Sequence, residues 1–165
     1  MRIIFLSKEE VKNPLTKEIT EAGKILKEKG FVKEKFGSIS VKYGKRMIIT
    51  ANNANLGNLS NEDFVEIVDY NGVTNVTLAI GLKNPSMEIP MHWFIYRKPE
   101  INAIIHIQKT FDDIPTTSYA PPGSIELAIE ALKALRQANL INLKNYGSIA
   151  VGVNLKKALE ELKCL

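Results

Sequence analysis

The sequence predicts a layered α/β fold in which helices cover a mainly antiparallel central sheet, and three observations carry that prediction. Short β-rich runs come in pairs joined by tight turns, the usual connection between antiparallel neighbours. Amphipathic helical stretches separate these pairs and need a sheet face on which to bury their apolar stripes. The chain of 165 residues has room for one such core and not for two, so residues 1–165 read as a single domain.

The elements follow in order. Met1 to Leu6 is apolar but is cut short by Ser7-Lys8-Glu9-Glu10. That run is too brief for a signal segment or a membrane span, and an edge strand or apolar arm is expected. A helix begins where Asn13 can cap and Pro14 suits the first turn; Leu15, Ile19, Ala22 and Leu26 recur at helical spacing until Gly30. Its Lys- and Glu-rich face is solvated. Ile39 and Val41, then Met47 to Thr50, are two strands joined at Tyr43-Gly44-Lys45-Arg46. Ser60 to Asp63 is a short helical turn with a Ser cap and acidic residues behind it. Phe64 to Val68 and Val76 to Ile80 are strands expected to bracket a turn at Asp69-Tyr70-Asn71-Gly72.

Pro85-Ser86-Met87 leads into a helix that ends before Pro99, with Glu88, His92 and Tyr96 one turn apart on one face. The strand Ala103 to Ile107 follows. A loop from Gln108 to Gly123 precedes a helix from Ser124 to about Gln137. Strands near Leu140 to Leu143 and Gly147 to Val151, then a helix opening at Asn154, complete the chain.

Composition removes several classes of function. The net charge is +4, and the lysines are scattered instead of forming a stripe with interleaved aromatics, so no nucleic-acid partner is expected. Cys164 is the only cysteine, which rules out an internal disulfide and a Cys-based zinc site. A reducing compartment, a cytoplasmic location and no membrane partner are the corresponding expectations. No GxGxxG or GxxxxGK[ST] loop is present, so dinucleotide and P-loop readings fail.

Three ordered runs resemble one known family. Gly37-Ser38-Ile39-Ser40-Val41, Met47-Ile48-Ile49-Thr50 and Leu56 to Asp63 are similar to its opening pattern. Pro85-Ser86-Met87-Glu88, His92, Tyr96, Pro99 and Asn102-Ala103-Ile104-Ile105-His106 match a long run of the form P-S-S-E-x-x-x-H-x-x-x-Y-x-x-R-P-d-v-n-A-v-v-H-x-H. Asn145-Tyr146-Gly147 through Ala158 looks like n-H-G-l-l-a-x-G-x-n-l-e-e-A. The family is that of the class II aldolases and adducins. The resemblance implies a divalent ion, usually zinc, and cleavage or rearrangement of a phosphorylated sugar, although adducin heads serve structural roles. It also implies a cyclic homo-oligomer, a tetramer by analogy, with sites at subunit boundaries.

Residue by residue, the resemblance makes Glu88 the acid/base carboxylate and His106 the first metal histidine. Gln108 stands at the second histidine position and Tyr146 at the third. Aldol chemistry needs a Lewis acid to stabilise an enediolate. An amide oxygen is a poor ligand for first-row metals, and a phenol must ionise near pH 10 before it binds well. A weak site of His106, Gln108 and Glu88 would suit magnesium or manganese better than zinc. His92 reads either as a packed histidine or as a reserve ligand, and Tyr146 either as a lost ligand or as a metal-free general acid. Gly37, Ser38, Thr50 and Ser86 fall at the phosphate-binding positions. The same residues also suit a turn, a strand and a helix cap. Only 37 residues separate Gln108 from Tyr146, fewer than in the enzymes. The extension that longer members carry past the last helix is expected to be absent.

Overall fold

A computed structural model describes residues 1–165. Eight strands form one sheet: β1 (Arg2–Ser7), β2 (Ser38–Tyr43), β3 (Arg46–Thr50), β4 (Phe64–Asn71), β5 (Val76–Ile80), β6 (Ala103–Ile107), β7 (Leu140–Asn142) and β8 (Ser148–Gly152). Their spatial order is β1-β5-β4-β3-β2-β6-β8-β7. Every pair is antiparallel except β1 with β5, as expected for a sheet built from short connections. The four helices are α1 (Leu15–Glu28), α2 (Ile89–Ile95), α3 (Ile125–Ala134) and α4 (Leu155–Glu161).

Strand periodicity sorts the side chains onto two faces. Ile39 and Val41 of β2, with Ala103, Ile105 and Ile107 of β6, join one core with Ile19 and Leu26 of α1 and Leu155 and Leu159 of α4. On the other face Ile104, Ile149 and Val151 pack with Met91 and Ile95 of α2 and Leu127 and Ala131 of α3. Met47, Ile49, Val65 and Ile67 extend that second face under Ile89. The result is three layers, helix, sheet and helix. Each fully buried Ile contributes about 2 kcal/mol by leaving water, so the isoleucine-rich central strands anchor both layers.

Local chemistry sets the boundaries. Asn13 accepts from the Leu15 amide at 2.9 Å and starts α1. Ser124 accepts from Leu127 at 3.1 Å, and Asn154 from Lys157 at 2.9 Å, at the first turns of α3 and α4. In the single 3-10 turn Asn61–Asp63, Asp63 accepts from the Ser60 amide at 2.9 Å. One expected boundary is corrected: β4 runs on through Tyr70 to Asn71, and the turn falls three residues later, from Gly72 to Asn75. Tyr70 is buried and its hydroxyl donates to Asn75 at 2.9 Å across the turn, which keeps Tyr70 in the strand past the irregularity between Ile67 and Asp69, while Asn71 caps the turn by accepting from Val73 and Thr74.

The face beneath α2 positions the candidate site. Ser38 lies opposite His106 in the β2–β6 register, and both point to the α2 side. Ser40, two residues on, points the same way, toward the middle of α2.

Candidate functional site

Glu88 precedes the first turn of α2, followed by Pro90, and only 2% of it is exposed. Tyr146 sits in the tight connection between β7 and β8. There Leu143 receives the Tyr146 amide at 2.9 Å and donates its own amide to Gly147 at 2.8 Å. Asn145 and Gly147 take φ values of 60° and 76°, and a Cβ on Gly147 would lie 2.0 Å from the Ile107 carbonyl oxygen. Glycine is therefore required for this turn to dock against the end of β6.

The turn brings Tyr146 onto the two charged-group positions the sequence singled out. Its hydroxyl donates to Glu88 Oε1 at 2.7 Å. His106 Nε2 donates to the Tyr146 carbonyl at 2.8 Å, which fixes the proton on Nε2 and leaves the lone pair on Nδ1. The His106 and Tyr146 rings lie 4.7 Å apart, and Phe36 closes over both at 5.1 and 5.5 Å. Glu88 Oε2 and His106 Nδ1 are buried with no partner.

Burial dominates the electrostatics. It raises the Glu88 carboxyl above its usual range, against the Tyr146 hydroxyl and the Gly123 amide, which pull it back down. It pushes His106 down to about 4, so the ring is neutral. It also raises the Tyr146 phenol, and the neighbouring Glu88 charge raises it further.

His92 belongs to a separate chain of hydrogen bonds. Its Nε2 meets Ser38 Oγ at 2.9 Å and its Nδ1 meets Ser40 Oγ at 2.6 Å. Ser40 Oγ also meets the Tyr96 hydroxyl at 2.6 Å. Burial, with the nearby His106, holds His92 down to about 3. Both ring nitrogens of His92 are thus engaged by serines, and Ser38 faces His92 from a fully buried position. Thr50 Oγ1 accepts from the Ile39 amide at 3.2 Å and Ser86 Oγ from the Glu88 amide at 3.2 Å. The Ser86 amide donates to the Thr50 carbonyl at 3.1 Å. Gly37, at φ 92°, approaches His106 so closely that a Cβ would stand 2.4 Å from its carbonyl oxygen. Thr50 and Ser86 therefore meet beside Glu88 and Gly37 abuts β6 at His106, whereas Gln108 is exposed past the end of β6.

The family ion can be tested against these donors. A catalytic divalent ion takes three protein ligands and keeps one position open. The lone pairs left free are His106 Nδ1 and Glu88 Oε2. The Tyr146 proton is committed to Glu88, Gln108 faces solvent, and no three His, Cys, Asp or Glu side chains gather. The residues present do not fit the ion.

Phe36 and Ser40 escaped the sequence reading. Ser40 was legible, since it shares a strand face with Ser38 opposite the i,i+4 pair His92 and Tyr96. Phe36 was not, because it lies in an irregular segment whose direction depends on the Gly37 turn.

Comparison with known proteins places this geometry. The model of the class II aldolase and adducin N-terminal domain matches residues 17–111 and 108–165, two parts that meet at the end of β6. L-fuculose phosphate aldolase of Methanocaldococcus jannaschii is 30% identical over 78% of this chain and 79% of its own length. The enzyme of the same name from Haemophilus influenzae is 30% identical over 74% of this chain, which spans 65% of that relative. A solved L-fuculose 1-phosphate aldolase superposes with a TM-score of 0.78 at 26% identity, covering 94% of this chain and 84% of that one. With residues 17–165 matched by the family model and 94% of the chain superposed on an aldolase, the chain belongs to the class II aldolase and adducin N-terminal domain family.

Proposed function

We propose that this chain is a noncatalytic member of its family, a binding module that keeps the aldolase scaffold and has given up Lewis-acid chemistry. The observation that carries this is the Tyr146 turn. Its phenol donates to Glu88 and its carbonyl receives the proton of His106, so the third-ligand position is spent on closing the site. The ligand class is a small phosphorylated compound such as a sugar phosphate. Thr50 and Ser86 accept from backbone amides and keep their hydroxyl protons to give to an anion.

Metal analysis of protein purified without chelator or affinity tag, and supplemented with zinc or manganese, tests the reading. Substoichiometric metal and no cleavage of L-fuculose 1-phosphate are expected. The double variant Gln108→His/Tyr146→His should gain stoichiometric zinc. Stoichiometric metal in the unaltered chain that disappears in His106→Ala and Glu88→Ala would overturn the reading.

A second reading rests on the 2.7 Å bond between Tyr146 and Glu88 together with the free Glu88 Oε2: a buried carboxylate beside a phenol is an acid–base pair. Exchange of the carbon-bound proton next to the carbonyl of a phosphorylated ketose, followed by NMR in deuterated water, distinguishes the two. Exchange lost in both Glu88→Gln and Tyr146→Phe would establish the enzyme.

A further inference from the structure

The opposite end of the same strands carries a hollow of 580 Å³ between the β2–β3 hairpin, β4 and the C-terminal end of α2. It shares no residue with the Glu88, His106 and Tyr146 set, and only Tyr96 links it to the His92 chain of hydrogen bonds. Lys42, Lys45, Arg46 and Arg97 line it, with Asp69 as the one carboxylate, and Trp93 and Tyr96 are among its five apolar lining residues. Glu66 takes up Arg46 at 2.8 Å, and the hollow remains cationic after both acids are counted.

The walls are held in place. The Tyr96 hydroxyl is tied to buried Ser40 at 2.6 Å, which fixes its ring. Lys42 Nζ donates to the Tyr96 carbonyl at 3.5 Å and stands 5.8 Å from the ring centroid. The Arg97 guanidinium lies 5.6 Å over the Phe94 ring. Trp93, one helical turn before Tyr96 and Arg97, is half-buried. A rigid aromatic wall facing several cations recognises a flat ring and a multiply charged anion at once, and the volume falls in the range of sites for small organic ligands.

We infer that this hollow binds an anion carrying a flat ring, a nucleoside phosphate being the class, between the Trp93–Tyr96 wall and Lys42, Lys45 and Arg97. The aromatic wall argues against a bare inorganic anion, and the cations argue against an uncharged ring. Because the hollow shares no residue with the Glu88 site, its occupancy is independent of whether that site cleaves anything.

Trp93 is the only tryptophan in the chain, so its fluorescence, excited at the red edge to avoid nucleotide absorption, reports on the hollow directly. Titration with ADP should give a saturable change at sub-millimolar concentration. Adenosine and pyrophosphate, each lacking one half of the ligand, should bind at least tenfold more weakly. Arg97→Ala and Lys45→Ala, both at exposed positions, should each weaken ADP about fivefold or more without altering the unfolding midpoint, and high salt should weaken it further. No saturable response to ADP would overturn the proposal, as would equal binding of pyrophosphate or tighter binding of an acidic peptide. Calorimetric binding undiminished in both charge variants would overturn it too.

Discussion

At the end of the strands where β6 finishes, polar side chains close on one another; at the hairpin end, they face solvent. Glu88, His106 and Tyr146 form one closed set under Phe36, and Ser38, His92, Ser40 and Tyr96 form another. Lys45 and Arg97 at the far end are exposed, and Arg46 has one surface partner. Both ends use the same strands and the two ends of α2. The contrast teaches that most polar groups at the β6 end are engaged by protein, Glu88 Oε2 and His106 Nδ1 excepted, while the exposed charge sits at the hairpin end. If the closed end carries stability that the open end lacks, substitutions there should cost more than substitutions among the exposed cations.

The largest effect is expected from pH. Burial holds His92 at about 3 and His106 at about 4, against 6.5 for a free imidazole. The folded chain keeps both neutral, whereas the unfolded chain protonates both. Their contribution is therefore complete above pH 6.5 and is lost as pH falls toward 4 and then 3. The slope is up to about 1.4 kcal/mol per pH unit for each histidine. Glu88 acts in the opposite sense, because its raised carboxyl takes a proton in the fold before it would in the unfolded chain. Denaturant unfolding followed by Trp93 fluorescence from pH 7 to 4 should show a steep fall that His92→Gln makes shallower. A flat profile would mean that the two rings are not buried neutral.

Next is the turn that delivers Tyr146. Gly147→Ala places a methyl 2.0 Å from the Ile107 carbonyl oxygen and 2.9 Å from Gln108 Cα, at a φ of 76° that alanine disfavours. The turn must shift, and the loss should be about 3 kcal/mol or more. Tyr146→Phe, which removes only the bond to Glu88, should cost about 1 to 2 kcal/mol. Chemical denaturation of both variants separates the value of the turn from the value of the phenol.

Ser40→Ala follows, at about 2 kcal/mol, since it leaves His92 Nδ1 and the Tyr96 hydroxyl without their shared buried partner. It is also the residue through which the closed end supports the open one. Loss of stability without any change in ADP affinity would show that the Tyr96 ring is held by packing alone.

How far the sequence disclosed all this differs between fold and site. Paired strands and the helix starts at Asn13, Ser124 and Asn154 were legible because they depend on neighbours in the chain. Only the register of the β4–β5 turn was misplaced, since Tyr70 stays in the strand through a bond to Asn75. The family pattern named Glu88, His106 and Tyr146, which the fold brings together, and Gln108, which it leaves exposed past the end of β6. The wiring of the site was not legible. That the Tyr146 backbone, and not only its ring, engages His106 depends on the Gly147 turn, and that Phe36 covers the pair depends on Gly37 at φ 92°. Such contacts join segments far apart in sequence and leave no periodic trace.

The smallest effect belongs to the open end. Arg46 and Glu66 pair at 2.8 Å across β3 and β4, but the Arg46 side chain is 43% exposed, so water and salt compete for it. Arg46→Ala should cost less than about 1 kcal/mol, and raising the salt should shrink even that difference. The unfolding midpoint of this variant, measured beside Ser40→Ala at low and high salt, sets the two ends against each other. A loss for Arg46→Ala that equals the serine's and survives high salt would show that the hairpin end is also fastened by its charges. Its cations would then be structural, leaving fewer to hold an anion. A small, salt-sensitive loss leaves those cations mobile and uncommitted, the state a charged ligand requires of them.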